Sequence, residues 1–332
     1  MKRLTLLLLL TLLVCSSCTA LPAEERAFAV VLGVEKDADT WYVHARIPTY
    51  QTGGGYLTVS GEGEDLSNAL SDMDASAPMH LHLSQLRLLV LDSKLTDSAD
   101  LPAVFEVFSS RADIRLQCAV AVTDMPAKEL MDALKPTTGS RLSKSIDVLL
   151  ESRKEQGCIL PATLADVIRM GQRQSPVLIA LTLVDKEVSL SGGYPLSENL
   201  RLGTRISVEE TPLLSMLMGR AKNLRLSLPG GGAEVRDVSA KVCLEEGMQS
   251  ASVTLRLRMT VSSFTPDGLE ELLAEECLSL LTRLSDEGCD VLGLGRKAIL
   301  HIHDMADWHE LNWPERYRQM KWTVSVKVNG PA

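Results

Sequence analysis

Residues 56–73 read YLTVSGEGEDLSNALSDM, and they contain the first change from strand to helix in the chain. Its first five residues predict a short strand, and a helix follows the Gly61-Glu-Gly63 segment. Acidic residues at the start of that helix suit the positive end of the helix dipole. Four apolar side chains share one helix face: Leu66, Ala69, Leu70 and Met73. The stretch therefore predicts a strand that leads directly into an amphipathic helix.

Strands and helices alternate in the sequence around this stretch. Buried or alternating apolar runs predict strands at 28–34, 41–47, 86–91 and 114–122, with a turn at 35–39 between the first two. Helices are predicted at 101–108 and 126–134, each with proline in its first turn. This alternation predicts a mixed sheet that is covered by helices.

The rest of the chain continues the α+β pattern. We predict helices at 141–155 and 164–170, a hairpin at 177–184 and 186–190, and a strand end that passes into a helix over 208–218. Residues 229–232 (PGGG) are the best linker or turn signal in the chain. Beyond them we predict strands at 233–243 and 250–261, a helix opening at Thr265-Pro266 with Thr265 as N-cap and ending at Gly288, a helical stretch over 290–298, and a closing strand at 321–328.

The charge balance argues against two classes of partner. The chain has 34 basic and 43 acidic residues, which gives a net charge of −9. Loss of Lys2 and Arg3 with a signal peptide makes the net charge −11. Such a surface repels nucleic acid and anionic lipid headgroups, so membrane attachment would need a covalent or protein anchor.

The first eighteen residues, MKRLTLLLLLTLLVCSSC, predict a lipoprotein signal peptide. Two basic residues precede an apolar run of eleven residues, which is too short to span a bilayer but is typical of a secretory signal. Ser16 and Ser17 precede Cys18, and this arrangement resembles a lipobox. We expect cleavage before Cys18 and a diacylglyceryl group on its sulfur, because two acyl chains anchor a protein stably. Cys15 is a poor alternative, because bulky Val14 would stand at the cut.

The five cysteines after Cys18 indicate neither a disulfide framework nor a zinc site. They are scattered singly, odd in number and without a C-x-x-C spacing. We interpret them as small buried apolar side chains. Cys289, which lies beside an acidic run, is the one we expect to be partly exposed.

Three local patterns are similar to metal or nucleotide sites, but their spacing argues against both roles. His301, His303, Asp304 and His309 form the only cluster that could bind metal, but on a helix the first two would point about 200° apart; His80 and His82 receive the same interpretation. The GLGRKA run at 293–298 is similar to a dinucleotide fingerprint, yet too few residues follow it for the βαβαβ unit. No nucleophile, base and oxyanion site are visibly assembled, so we expect no enzyme activity and no cofactor.

Several segments, taken in order, resemble the Ger(x)C family of spore germination lipoproteins. The most telling are SGEGEDLSNAL (60–70), SAP (76–78) and QLRLLVLD (85–92). Further matching segments are FSSRADIRL (108–116), AKEL (127–130), EET through LMG (209–219), EGCDVLGLG (287–295), Trp308, Trp313 and the strand at 321–330. Departures occur at CTALP (18–22), where the family has Cys-Trp and a charged run, and at Ser84-Gln85, where it has histidine.

The resemblance implies a multi-domain α+β protein with a signal peptide at 1–17, an N-terminal germination-protein module at 18–222, with one or two subdomains, and a C-terminal α+β domain at 223–332. It implies a non-catalytic, lipid-anchored subunit of a nutrient germinant receptor on the outer face of the spore inner membrane. The implied partners are the integral-membrane A and B subunits of that receptor, and only Cys18 carries over as a functional residue. The alternative function is a solute-binding lipoprotein that captures a small nutrient ligand in a cleft between two lobes. A third, a secreted hydrolase, lacks any triad.

Overall fold

The computed structural model describes residues 25–49, 55–96, 100–136, 141–170, 174–220, 222–228, 231–245, 247–261 and 268–329. Over these residues the chain forms a seven-stranded sheet, a four-stranded sheet and a small two-stranded sheet, all accompanied by helices. The expected α+β class with mixed sheets flanked by helices is confirmed.

The seven-stranded sheet is built from the first part of the chain. This part of the chain contains nine strands among the described residues, seven of which form the large sheet and two the small one. They are β1 (Arg26–Phe28), β2 (Val31–Asp37), β3 (Thr40–Pro48), β4 (Tyr56–Gly63), β5 (His80–His82), β6 (Leu88–Asp92), β7 (Ala119–Thr123), β8 (Val177–Val184) and β9 (Glu187–Pro195). The order in the large sheet is β4-β3-β2-β6-β7-β8-β9, with parallel pairing from β2 through β8 and antiparallel pairing at both ends. β1 and β5 form the small parallel sheet.

Helices cover both faces of the large sheet. They are α1 (Leu66–Ser76), α2 (Asp100–Ser110), α3 (Ala127–Ala133), α4 (Leu142–Glu155) and α5 (Leu164–Ile168). Leu89 and Leu91 of β6 pack into the core on the α1 and α2 side, whereas Leu88 and Val90 pack into the core on the α3 and α4 side. Because both faces are buried, the central strand is a continuous apolar run without polar alternation.

Helix α1 lies almost in backbone contact with β4. A Cβ on Gly61 would stand 2.2 Å from the Met73 nitrogen, and a Cβ on Gly63 would stand 2.5 Å from the Ala69 nitrogen. Asp65 caps the helix, because its side chain accepts a hydrogen bond from the Asn68 N–H. The two glycines therefore let the strand and the helix pack closely.

The four-stranded sheet follows in the second part of the chain. Its elements are α6 (Glu210–Leu217), β10 (Lys222–Leu228), β11 (Gly231–Leu244), β12 (Ser250–Val261), α7 (Leu269–Asp286), α8 (Leu294–Ala298), α9 (Met305–Leu311), α10 (Trp313–Arg318) and β13 (Lys321–Asn329). The order is β10-β11-β12-β13, antiparallel except for the parallel pair β12 and β13.

One face of this smaller sheet is buried and the other faces outward. Val253, Leu255 and Leu257 of β12 are buried, whereas Arg256 and Arg258 are exposed. Leucines of α6 and α7 complete the same core. The period-two alternation of this strand follows directly from its half-buried position. The domain boundary at residue 222 stays a prediction.

The predicted first strand and turn were wrong in their bounds. The run at 28–34 is divided between β1 and β2, because the Ala29 N–H donates to His82 of the small sheet and the Val30 N–H donates to Arg46 of the large one. β2 then continues to Asp37, which pairs with Thr40, so the turn contains only Ala38 and Asp39. Ala38 takes a left-handed conformation there, with φ of 51°.

Three further bounds differ from the predictions. Residues 114–118 turn before β7, with the Cys118 N–H bonded to the Arg115 carbonyl, so the strand begins only at Ala119. No strand is formed at residue 208, because Ser207 and Glu210 exchange hydrogen bonds at the start of α6. Residues 290–293 form a turn and α8 begins at Leu294, since Asp290 accepts the N–H groups of that first turn. Residues 1–17, Thr265 and Pro266 lie outside the described residues, and Gly268 precedes α7.

Candidate functional site

Cys18, the predicted lipidation residue, lies outside the described residues. The description begins at Glu25, and β1 starts at Arg26 beside His80 of β5. Eight residue steps separate Cys18 from Arg26, and a fully extended chain would cover at most about 29 Å over them. An anchor at Cys18 would thus hold this end of the small sheet close to the membrane surface.

The loop after α7 joins the two large sheets. The Ser175 N–H donates to the Asp290 carbonyl at 2.8 Å, and the Thr204 N–H donates to Glu287 Oε2 at 2.9 Å. Ser175 immediately precedes the β8 region, whereas Asp290 follows α7, so these bonds connect the two parts of the fold. The EGCDVLGLG segment, which carried part of the resemblance, is this junction.

Asp290 organises the junction through its side chain. Oδ1 accepts the Leu294 N–H at 2.8 Å and Oδ2 accepts the Gly295 N–H at 2.7 Å. Burial raises the pKa of this carboxyl to about 6; the hydrogen bonds from Gly295, Leu294 and Gly293 oppose the rise, and Glu198 adds to it. Asp290 thus places a negative charge in a desolvated position.

A row of aromatic rings packs beside Asp290. Trp308 stacks on Trp313 with centroids 6.1 Å apart, and Trp313 lies 6.0 Å from Tyr317. The Tyr317 hydroxyl donates to the Cys289 carbonyl at 3.1 Å, and Trp322 Nε1 donates to Ser285 Oγ at 3.1 Å. The rings of Trp308, Trp313 and Tyr317 line a small cavity of about 130 Å³ together with Asp290.

A larger groove lies next to this cavity. It has a volume of about 650 Å³ and is lined from the first part of the chain by Leu160 and Pro161 and from the second part by residues such as Leu300. A neighbouring hollow of about 590 Å³ shares Leu160, Pro161 and Arg220 with it. Leu300, which lines this groove, is 81% exposed. We name the two hollows together the junction groove.

The junction groove is basic although the chain as a whole is acidic. Five cations line it, Lys154, Arg220, Lys222, Arg296 and Lys297, against the two carboxylates of Asp166 and Glu155. Arg220 and Arg296 form no ion pair with any residue that the structure describes. The groove can therefore attract an acidic surface by charge complementarity.

The histidine patterns lie on open surface. His301, His303 and His309 are exposed, and Asp304 caps α9 by accepting the Asp307 N–H. Among the described residues, no group of three or more histidine, cysteine, aspartate or glutamate side chains is placed to hold a metal ion. His82 packs on Phe28, with ring centroids 5.7 Å apart, and contributes to the contact between β1 and β5.

The run at 293–298 takes another role than nucleotide binding. It forms the whole of α8 together with its N-cap, Gly293. A phosphate at that helix start would need free N–H groups. The Asp290 carboxylate already accepts the N–H groups of Leu294 and Gly295. The run is therefore a helix start held by a side chain of the same loop.

Sequence reasoning missed a buried polar network in the large sheet. His44 Nε2 lies 2.8 Å from Glu35 Oε1, and His44 Nδ1 lies 2.8 Å from Ser60 Oγ. Glu35 Oε2 accepts the Ala127 N–H at the start of α3. Burial opposes ionisation of Glu35, but the bonds from His44 and Ala127 outweigh it and hold the pKa below its usual value. The network ties α3 to the sheet, and its residues are too far apart in sequence to form a motif.

The prediction for Cys289 was wrong. Cys289 is fully buried with its carbonyl bonded to Tyr317, and Cys158 and Cys243 are the half-exposed cysteines. Burial raises the pKa of the Cys118, Cys277 and Cys289 thiols to about 12. All five cysteines in the described chain are free. The nearby acidic residues misled the prediction because Glu287 and Asp290 both turn toward the junction.

The described helices include none that is long and apolar enough to cross a membrane.

The architecture is similar to that of a protein whose structure has been solved. The chain has the fold seen in the crystal structure of the GerBC protein, with a TM-score of 0.53 and 15% sequence identity over 90% of this chain and 96% of that one. No curated protein matches the chain. The chain is therefore an α+β protein that shares its fold with GerBC.

The family follows from the sequence of the first part. Residues 20–183 match the family model described as "Spore germination protein N-terminal domain". The chain belongs to the Ger(x)C family of spore germination proteins. The resemblance found in the sequence is thus confirmed.

Proposed function

We propose that this protein is the lipid-anchored, non-catalytic C subunit of a spore nutrient germinant receptor. It would be held to the outer face of the spore inner membrane through Cys18 and would act by contact with the integral-membrane A and B subunits. The single observation that carries the proposal is the germination-protein family match over residues 20–183.

The position of that match also supports the anchor. The family match starts at residue 20, two residues after Cys18, so the lipobox would be cut just before the matched domain. The body itself is acidic and would be repelled by anionic headgroups. Two acyl chains would overcome this repulsion and raise the concentration of the subunit near its partners.

The anchor is tested by matched cysteine variants in the native spore. Cys18→Ala should move the protein from the membrane fraction to the soluble fraction, abolish labelling by radioactive palmitate and weaken the germination response. Cys15→Ala removes a neighbouring thiol without removing the predicted lipid acceptor, so it should behave as the unchanged protein. A Cys18→Ala protein that is still membrane-bound and labelled would contradict the anchor.

The junction groove is the contact surface that the geometry favours. It combines two arginines that form no ion pair among the described residues with the exposed Leu300, which suits an acidic and partly apolar segment of a partner protein. Arg220→Glu with Arg296→Glu should lower co-purification of the receptor subunits at least fivefold. Arg225→Glu with Arg256→Glu makes the same charge change on exposed strand positions away from the groove and should leave co-purification unchanged. Equal losses in the two double variants would refute this surface.

The alternative, a solute-binding lipoprotein, receives less support from the architecture. That class has two α/β lobes around a hinged cleft, whereas this chain has sheets of seven and four strands with different topologies. Calorimetry of the soluble body with amino acids and sugars discriminates the two functions, because a solute-binding protein should give saturable heats with one of them.

A further inference from the structure

The small cavity at the aromatic row has the composition of a cation site. Its lining brings together the rings of Trp308, Trp313 and Tyr317 with the carboxylates of Asp290 and Glu198. Aromatic faces attract ammonium groups electrostatically, and carboxylates supply the opposite charge. We propose that this cavity binds a small organic ammonium ion, and this proposal does not depend on the lipid anchor.

The two carboxylates have no cationic partner in the part of the chain that is described. Neither Asp290 nor Glu198 forms an ion pair there, and Asp290 is stabilised only by backbone N–H groups. Arg296 also lines the cavity, but its guanidinium makes no ion pair with either acid and its side chain is exposed. A cationic group on a ligand would therefore meet two carboxylates that no ion pair among the described residues neutralises, with only the solvent-exposed Arg296 as an opposing charge.

Trp313 provides an independent sign that the cavity is made for a ligand. Its side chain is only 4% exposed, yet the indole Nε1–H has no hydrogen-bond partner among the described residues. Nε1 lies 2.7 Å from the point where a Cβ on Gly295 would stand, and Gly295 lines the cavity too. Nε1 is not among the fully buried unpartnered atoms of the described residues, so it is reached from the cavity, where a hydroxyl or other acceptor carried beside the ammonium group could accept its hydrogen bond.

The size of the cavity limits the ligand to a small one. About 130 Å³ is close to the roughly 150 Å³ of an engineered cavity that holds benzene. A compact quaternary or primary ammonium fits this volume, whereas a sugar ring with its hydroxyl groups would leave many polar atoms against aromatic faces. An inorganic anion would be repelled by Asp290 and Glu198. The ligand class is thus an ammonium ion with few heavy atoms.

Titration of the full chain with tetramethylammonium chloride tests the site. Quenching of tryptophan fluorescence and calorimetry should give one saturable binding event per chain. Sodium chloride at equal ionic strength and tert-butanol, a neutral molecule of similar shape, should give none. Equal responses to tetramethylammonium and sodium, or to tetramethylammonium and tert-butanol, would overturn the proposal.

Variants locate the binding event. Asp290→Asn should weaken tetramethylammonium binding at least tenfold, and Glu198→Gln should weaken it at least threefold. Glu198 is exposed, so the second variant keeps the test valid if the first fails to fold. Glu310→Gln removes a charge from the exposed face of α9, the helix that carries Trp308, and should change the affinity less than twofold. Unchanged affinity in Glu198→Gln, or equal losses in Glu198→Gln and Glu310→Gln, would place the ion elsewhere and refute the site.

Discussion

Gly61→Ala should destabilise the first part of the fold by a predictable amount. The new Cβ would lie 2.2 Å from the Met73 nitrogen and 2.4 Å from the Ala69 carbonyl oxygen, both in the backbone of α1. Neither atom can rotate away, so the whole helix would have to retreat by roughly 1 Å to restore ordinary contact. Overpacking of this kind costs about 1–3 kcal/mol, and a backbone clash belongs at the upper end.

Thermal unfolding of the fragment that starts at residue 19, followed by circular dichroism, measures this loss of stability. About 3 kcal/mol corresponds to a fall in Tm of roughly 6–12 °C for a unit of 150–250 residues. Gly232→Ala is the matched control, because its Cβ would meet only the Leu226 carbonyl oxygen at 3.6 Å, an ordinary contact. If Gly61→Ala lowered Tm by no more than Gly232→Ala does, the close packing of β4 against α1 would be wrong.

Two further predictions rest on buried groups. Because burial raises the pKa of Asp290 to about 6, its proton stabilises the fold below pH 4, and this contribution is lost as the pH rises through 6. In urea unfolding, the free energy of unfolding of Asp290→Asn should therefore rise by about 2–3 kcal/mol relative to that of the unchanged protein between pH 4 and pH 7. A difference that stays constant with pH would contradict the burial of Asp290. In a fragment starting at residue 19, an aromatic disulfide reagent at pH 8 should titrate Cys158 and Cys243 quickly and the other three thiols only after unfolding, since buried thiols form little thiolate. Fast labelling of all five would refute the buried positions.

Local periodicity explains which elements were predictable from the sequence. The alternation of β12 and the apolar face of α1 each follow from a single element that is buried on one side, so they can be read from neighbouring residues. The family resemblance was also readable, because its segments stay in order along the chain.

The features that were missed depend on register between distant strands. The division between β1 and β2 arises because Ala29 and Val30 bond to different sheets. The network of Glu35, His44 and Ser60 exists only when three strands are aligned. Burial of Cys289 likewise results from packing of the loop against α10. None of these contacts leaves a pattern within one stretch of sequence, so only the folded chain reveals them.

The bond from Ser175 to Asp290 joins main-chain atoms at both ends. Every amino acid except proline offers the same N–H, and every one offers the same carbonyl. A substitution of Ser175 by any residue except proline thus keeps the link itself. A contact made by main-chain atoms can persist while side chains change, which is consistent with a fold shared at 15% sequence identity.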